Sequence, residues 1–210
     1  MRRPVSGLVL CGGAGLRFGG RDKPLELLQG RALVDWVLKR LAPQVDGIWI
    51  SANRHIAEYE ARGWPVVLDD PAWQGAGPLA GLQAGLRACR PGWVLVCPGD
   101  MPLLPQGLAA RLLNAVPPVR PSLDGATVQA ALVHDGRRVQ PLLALVHTDV
   151  APDLQHYLES DGRAVRRFWS GLTTITVDGS DWQAQLENLN SQADLARLAA
   201  QLAASPDQRL

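Results

Sequence analysis

Four short, continuous apolar runs punctuate this chain: residues 6–11 (SGLVLC), 47–51 (GIWIS), 65–68 (PVVL) and 93–97 (WVLVC). Runs of this length, too short for core helices and too uniform for one-sided strands, predict strands buried on both faces. Between and after them, residues 32–41, 78–89 and 106–115 carry apolar residues at helical spacing, and a shorter helix is expected through Ile56 and Tyr59 to Gly63. Alternating strands and helices imply a mostly parallel sheet covered on both sides. Residues 127–133 and 139–146 flank a DGRR turn and read as a hairpin or paired edge strands. Two short helices (150–157 and 163–169), a last strand (173–177) and an alanine- and leucine-rich helix (193–204) complete the order. The predicted fold is α/β, a Rossmann-like three-layer sandwich with a mostly parallel twisted sheet and a small antiparallel extension. A single domain over residues 1–210 is expected, since little beyond the linker-like PVRPS at 118–122 could fold alone.

Composition narrows the partners. Hydrophobic residues make up 47% and charged residues 20% of the chain, which excludes a mostly disordered protein. The formal net charge is +1, so there is no long-range field for nucleic acid, and any anion must be caught locally. A small ligand is expected. Cys11, Cys89 and Cys97 have neither metal-ligand spacing nor an even count, and read as buried thiols in a reducing compartment. The apolar core after Arg2 and Arg3 spans only residues 8–11, too short for an export signal, and no run reaches membrane-spanning length. A cytoplasmic protein with no membrane partner is expected.

In open α/β sheets, ligands bind beyond the carboxyl ends of the strands. The first predicted strand delivers LCGGAGLRFGGRDKPL at 10–25, with Gly12, Gly13, Gly15, Gly19 and Gly20 in nine residues. Glycines let backbone N–H groups approach an anion closely, and Arg17 and Lys23 add positive charge on the same loop. A P-loop is excluded because Gly15 and Gly19 are wrongly spaced and neither Ser nor Thr follows Lys23. A dinucleotide fingerprint is nearly met, but Phe18 stands at its third glycine. A merely flexible loop is the plainer alternative; the charges directly after a buried strand favour a triphosphate cradle.

Three further positions lie at predicted strand ends. Asp100, flanked by Pro98, Gly99 and Pro102, is either a Mg²⁺ ligand or a cap for the following helix, and its distance from that helix favours the metal. Asp69 follows PVVL; Asp70 beside it reads as a turn residue before Pro71. Ser51 and Asn53 could read a base or cap the next helix, and spacing leaves both open.

Taken together, LCGGAGLRFGGRDKPL, PQV at 43–45, ISANR at 50–54, GPLAGL at 77–82, CPGDMPLLP at 97–105, QPLLAL at 140–145 and NLN at 188–190 resemble the molybdenum cofactor guanylyltransferases, the MobA-type family of nucleotidyltransferases. The glycine-arginine-lysine loop alone marks a wider superfamily; SANR, GPLAG, QPL and NLN are the narrower signals. The resemblance implies transfer of GMP from GTP to the phosphate of molybdopterin, with release of pyrophosphate. It implies a nucleotide site at Leu10, Cys11, Gly12, Gly13, Lys23, Ser51 or Asn53, Asp69 and Asp100, with Mg²⁺ on Asp100 and with Lys23, Arg17 and Asp100 serving the reaction. It also implies passing contact with other molybdenum cofactor biosynthesis proteins and recipient molybdoenzymes, the chain itself acting as a monomer. Cys11 stands where the family usually has alanine, Gly99 where it often has cysteine, and Ser51 where it often has asparagine. A cytidylyltransferase, another small-molecule guanylyltransferase and a nucleotide-binding regulatory module without turnover are the alternatives. The four histidines are expected at surface or structural positions. Of the seven tryptophans only Trp73, near GPLAG, suggests a stacking role.

Overall fold

A computed structural model describes residues 3–12, 22–117, 127–186, 189 and 192–204 of the chain. Strand β1 (Val5–Leu10) is buried along its whole length, as its continuous apolar run predicts. A two-stranded antiparallel hairpin, β2 (Leu27–Leu28) and β3 (Arg31–Ala32), then leads into helix α1 (Leu33–Leu41). Leu33, Val34, Val37, Leu38 and Leu41 form the buried stripe of α1, and a 3-10 turn at Ala42–Gln44 containing Pro43 ends it. Next come β4 (Gly47–Ser51), α2 (Ile56–Glu60) and β5 (Val66–Val67). Helix α2 stops short of the predicted Gly63, and β5 keeps only two of the expected residues, as befits an edge strand.

Helix α3 (Pro78–Ala88) has proline in its first turn, where no N–H is missed. Strand β6 (Trp93–Pro98) follows, then α4 (Leu108–Ala115), which begins after Gly107 at φ 75° and so two residues later than expected. The first turn of α4 is tied down from a distance: Gln44 Oε1 accepts from Ala109 N (3.2 Å) while its Nε2 donates to the Pro105 and Arg40 carbonyls. The remaining elements are β7 (Ala130–His134), β8 (Val139–His147), α5 (Ala151–Glu159), α6 (Val165–Ser170), β9 (Thr174–Asp178) and α7 (Gln192–Ala204).

Seven strands form one sheet in the order β5-β4-β1-β6-β8-β7-β9. Only β8 runs antiparallel to its neighbours; every other adjacent pair is parallel. The β7–β8 hairpin forms as expected but is not an edge, because β9 lies outside β7. Alternate strand residues feed opposite faces. Val9, Ile48, Ile50, Leu95 and Leu145 pack under α1 and α4, whereas Leu8, Leu10, Val94, Val96 and Val146 pack under α3, α5 and α6. A third cluster joins α7 to α1 and the β2–β3 hairpin through Leu28, Leu33, Trp36, Leu195, Leu198 and Leu202. Among the described residues, no helix is long and apolar enough to cross a membrane.

Candidate active site

Strand order reverses between β1 and β6, so chain segments leaving their carboxyl ends diverge there and open a crevice. Backbone hydrogen bonds carry the ladder past both strand ends: Cys11 N donates to Ser51 O (2.8 Å) and Gly99 N to Leu10 O (2.9 Å). A cavity of about 380 Å³ lies on the β1–β4–β5 side. Leu10, Cys11 and Gly12 line it from β1, Ser51, Asn53 and Arg54 from β4, and Asp69 from β5; Asp22 and the approach to α3 (Gln74, Gly75, Gly77, Pro78, Gly81) close it.

Each lining side chain has a specific setting. Ser51 is almost fully buried, and its Oγ occupies the space where any side chain at position 81 would stand, which is why α3 carries Gly81 there. Asn53 Oδ1 accepts from Asp69 N (2.9 Å) and so clasps the end of β4 to the end of β5. Neither Ser51 nor Asn53 caps α2; the residue before that helix is His55, at φ 52°, with Nδ1 2.8 Å from Glu58 Oε1. Asp70 accepts from Ala72 N (3.0 Å), the turn role expected of it. Asp69 is different. Its Oδ1 is buried without a hydrogen-bond partner among the described residues, and burial pushes its carboxyl above the usual range, only partly offset by Asn53. Asp22 is likewise pushed up by burial, against the lowering influence of Tyr59 and Arg54.

Lys23 and Asp100 do not line this cavity. They meet each other: Lys23 Nζ lies 2.6 Å from Asp100 Oδ2, with the two side chains 18% and 25% exposed. Lys23 opens a 3-10 turn, Lys23–Leu25, and Asp100 leaves β6 far ahead of α4, so it caps nothing there. No three histidine, cysteine or acidic side chains converge to cage a metal among the described residues. One partly exposed carboxylate nonetheless fits Mg²⁺, which takes one or two carboxylates and completes its shell from phosphates and water. Gly13 and Arg17 lie outside the described residues, as do Asn188 and Asn190 of the NLN segment.

Several features have no counterpart in the sequence reading. Asp22, Gln74, Gly75, Gly77, Pro78 and Gly81 line the cavity without an assigned role, and for the last three GPLAGL is the available signal. Gln140 of QPLLAL is buried and donates to Asp135, which also accepts from Arg137 N (2.8 Å) and Arg138 N (2.7 Å). Trp73 is buried in the α3-side cluster and does not line the cavity, so nothing at this site supports the stacking role suggested for it. All three cysteines are free and buried.

A mostly parallel sheet with a cavity at its carboxyl edge and a lysine–aspartate pair beside it is the layout of a nucleotide-binding α/β protein. A family model described as the MobA-like NTP transferase domain matches residues 7–175. A molybdenum cofactor guanylyltransferase of Ralstonia nicotianae is 37% identical over 203 residues, covering 93% of this chain and 96% of its own. One of Burkholderia orbicola is 41% identical, with 93% and 95% covered. The chain therefore belongs to the MobA-like NTP transferase family, and it is a nucleotidyltransferase. Among solved structures, molybdopterin-guanine dinucleotide biosynthesis protein A of Archaeoglobus fulgidus superposes with a TM-score of 0.74 at 22% identity, over 95% of this chain and 98% of that one. A 2-C-methyl-D-erythritol 4-phosphate cytidylyltransferase of Thermus thermophilus gives 0.66 at 17%, over 94% and 98%. The fold thus spans enzymes that transfer different nucleotides, and side chains must choose the base.

Proposed function

We propose that this chain transfers GMP from GTP to the terminal phosphate of molybdopterin, releasing pyrophosphate and forming the guanine dinucleotide of the cofactor. Identity of 37% and 41% to guanylyltransferases, across 93% of this chain in each case, is the observation that carries the reading. The cavity supports it. Guanine presents two adjacent donors, N1–H and the 2-amino group, and Asp69 Oδ1, unpartnered among the described residues, is a buried acceptor awaiting a donor. Cytosine and adenine lack that adjacent pair. Ser51 and Asn53 then border the nucleoside, and the backbone of residues 10–12 leads its phosphates toward Lys23.

An oxygen of the molybdopterin phosphate attacks the α-phosphorus of GTP; the new P–O bond forms as the bond to the β-phosphate oxygen breaks. The nucleophile is already anionic at neutral pH, so positioning and charge neutralisation dominate over proton transfer. Lys23 gives up part of its contact with Asp100 to neutralise phosphate oxygens, assisted by Arg17. Asp100, freed in the same exchange, would hold Mg²⁺, which supplies charge neutralisation at the phosphates of both substrates. The chain acts as a single domain and a monomer in the cytoplasm, meeting other cofactor-biosynthesis proteins and molybdoenzymes only in passing. Incubation with labelled GTP, Mg²⁺ and molybdopterin tests this directly: the label of the α-phosphate moves to molybdopterin. Transfer from CTP in preference to GTP would reassign the chain to a cytidylyltransferase, and binding without any transfer would make it a regulatory module.

A further inference from the structure

We propose that Cys11 and Gly99 are positioning residues for the transfer reaction, interlocked with Pro24 so as to set where Lys23 and Asp100 meet. Gly99 is not needed for backbone conformation, since it is absent from the glycines with positive φ. It is needed for space. A Cβ at position 99 would stand 2.6 Å from Cys11 Sγ and 3.2 Å from both Cβ and Cγ of Pro24. The first distance is far inside contact, and the other two are tight.

None of the three neighbours can easily retreat. Cys11 is 2% exposed and held by its N–H on Ser51 O; Gly99 is held by its N–H on Leu10 O. The turn carrying Pro24 is closed by Leu25 N to Asp22 O (2.9 Å) and Glu26 N to Lys23 O (3.0 Å). Burial pushes the Cys11 thiol well up, so it packs there as a neutral group. Pro24 follows Lys23 and Gly99 precedes Asp100. The sulfur, the ring and the missing side chain therefore fix the approach of the two backbone segments one residue away from the ion pair. The sulfur at 11 fills the volume that a side chain at 99 would need.

The catalytic consequence rests on the transferase reading; the interlock does not. Its test is a double-mutant cycle on the full chain: wild type, Cys11→Ala, Gly99→Ala and the double variant. Melting temperature, affinity for GTP and for guanosine, and GMP transfer are measured for each. Overpacking that shifts charged groups by a fraction of an ångström to an ångström lowers transfer in Gly99→Ala by tenfold or more, on the order seen for such misplacements. Guanosine affinity falls less than GTP affinity there, because among the residues lining the base cavity the new methyl presses only on Cys11, while the gain from the triphosphate shrinks. Cys11→Ala leaves a sulfur-sized gap and costs about threefold in transfer, a small-cavity effect. The double variant returns to within about threefold of Cys11→Ala, because the new methyl enters the vacated space. A double variant as poor as or poorer than Gly99→Ala overturns the interlock. Equal loss of guanosine and GTP affinity, in step with melting temperature, overturns the positioning role. If Gly99→Ala does not fold, folded double variant supports the interlock and unfolded double variant overturns it. A wild type that transfers no GMP sinks the transferase reading alone, since melting and GTP-against-guanosine affinity still decide the cycle.

Discussion

Asp69 and Asp100 both leave parallel strands at the same edge of the sheet, yet their surroundings assign them opposite duties. Asp69 is buried against cavity walls with one oxygen unpartnered among the described residues, and its carboxyl is pushed up by that burial. A raised acid binds its proton more tightly in the folded state than in the unfolded one, so it costs stability as pH climbs from the ordinary carboxylate value of about 4 through its folded value. Asp69→Asn removes the charge but keeps the shape. We expect its melting temperature relative to wild type to rise across that window and then level off. GTP affinity falls in the variant, because the amide puts an NH2 donor where the carboxylate offers a second acceptor oxygen to guanine's paired donors. Parallel melts at stepped pH with nucleotide titrations check both; a pH-independent difference would show that Asp69 is not under strain. Asp100, in contrast, is satisfied by Lys23 and partly exposed, so Asp100→Asn should remain folded with a modest loss of stability from the lost Lys23 contact. Its transfer rate should drop on the order of a hundredfold, as when a group that stabilises transition-state charge is lost. Transfer measured against Mg²⁺ concentration should recover in part at high metal; curves coinciding with wild type would make Asp100 structural.

Elements were legible where their own sequence decides them. Residues 47–51 and 93–97 are continuous apolar runs and appear as β4 and β6 within a residue of expectation, and Pro78 marked the start of α3. The two-residue strands β2 and β3 left no periodicity to read. The end of α2 was overextended because Gly63, at φ 80°, closes a turn beyond the helix and not the helix itself. The β7–β8 turn shows how a short motif acquires a structural task. Asp135 lies just beneath the surface, where burial would raise its acid; the Arg138 and Arg137 N–H groups and Gln140 outweigh that and hold it below the usual range. Replacing it by alanine leaves two backbone donors and the buried Gln140 amide unsatisfied, a loss of about 1–3 kcal/mol readable in denaturant unfolding. The charge-dependent part, read as wild type against Asp135→Asn, is fully present above the ordinary carboxylate value and fades as pH falls through the lower folded value. A gap unchanged down to strongly acid pH would mean that charge plays no part in the turn.

Whole-molecule order was the least legible level, because it depends on which distant segments pair. That the sheet is mostly parallel follows from alternation of strand and helix, but nothing local places β8 between β6 and β7 or sends β9 to the outside. The same limit hid the pairing of Lys23 with Asp100, which are adjacent only because Pro24 and Gly99 pack together at the reversal between β1 and β6. The resulting division of the sheet makes a prediction about the entire chain. The cavity draws its walls from the ends of β1, β4 and β5 and from the approach to α3, while β8, β7 and β9 lie on the far side of β6. A ligand stabilises only what its binding closes, raising the free energy of local opening by RT ln(1 + [L]/Kd), which is about 2.7 kcal/mol at a hundredfold excess over Kd. In native-state hydrogen exchange, saturating GTP should therefore slow amides at residues 10–12, 51–54, 69–70 and 74–81 that exchange by local opening. Amides of β7 and β9 that exchange the same way should keep their rates, whereas those exchanging only by global unfolding slow everywhere together. Adding molybdopterin in the presence of a non-hydrolysable GTP analogue then extends protection to some part of the β8–β7–β9 half, since the acceptor must approach the α-phosphate from the side the nucleoside does not fill. Local GTP protection confined to β7 and β9, with residues 10–12 and 69–81 unchanged, would place the nucleotide on the wrong half of the sheet for everything proposed about Asp69.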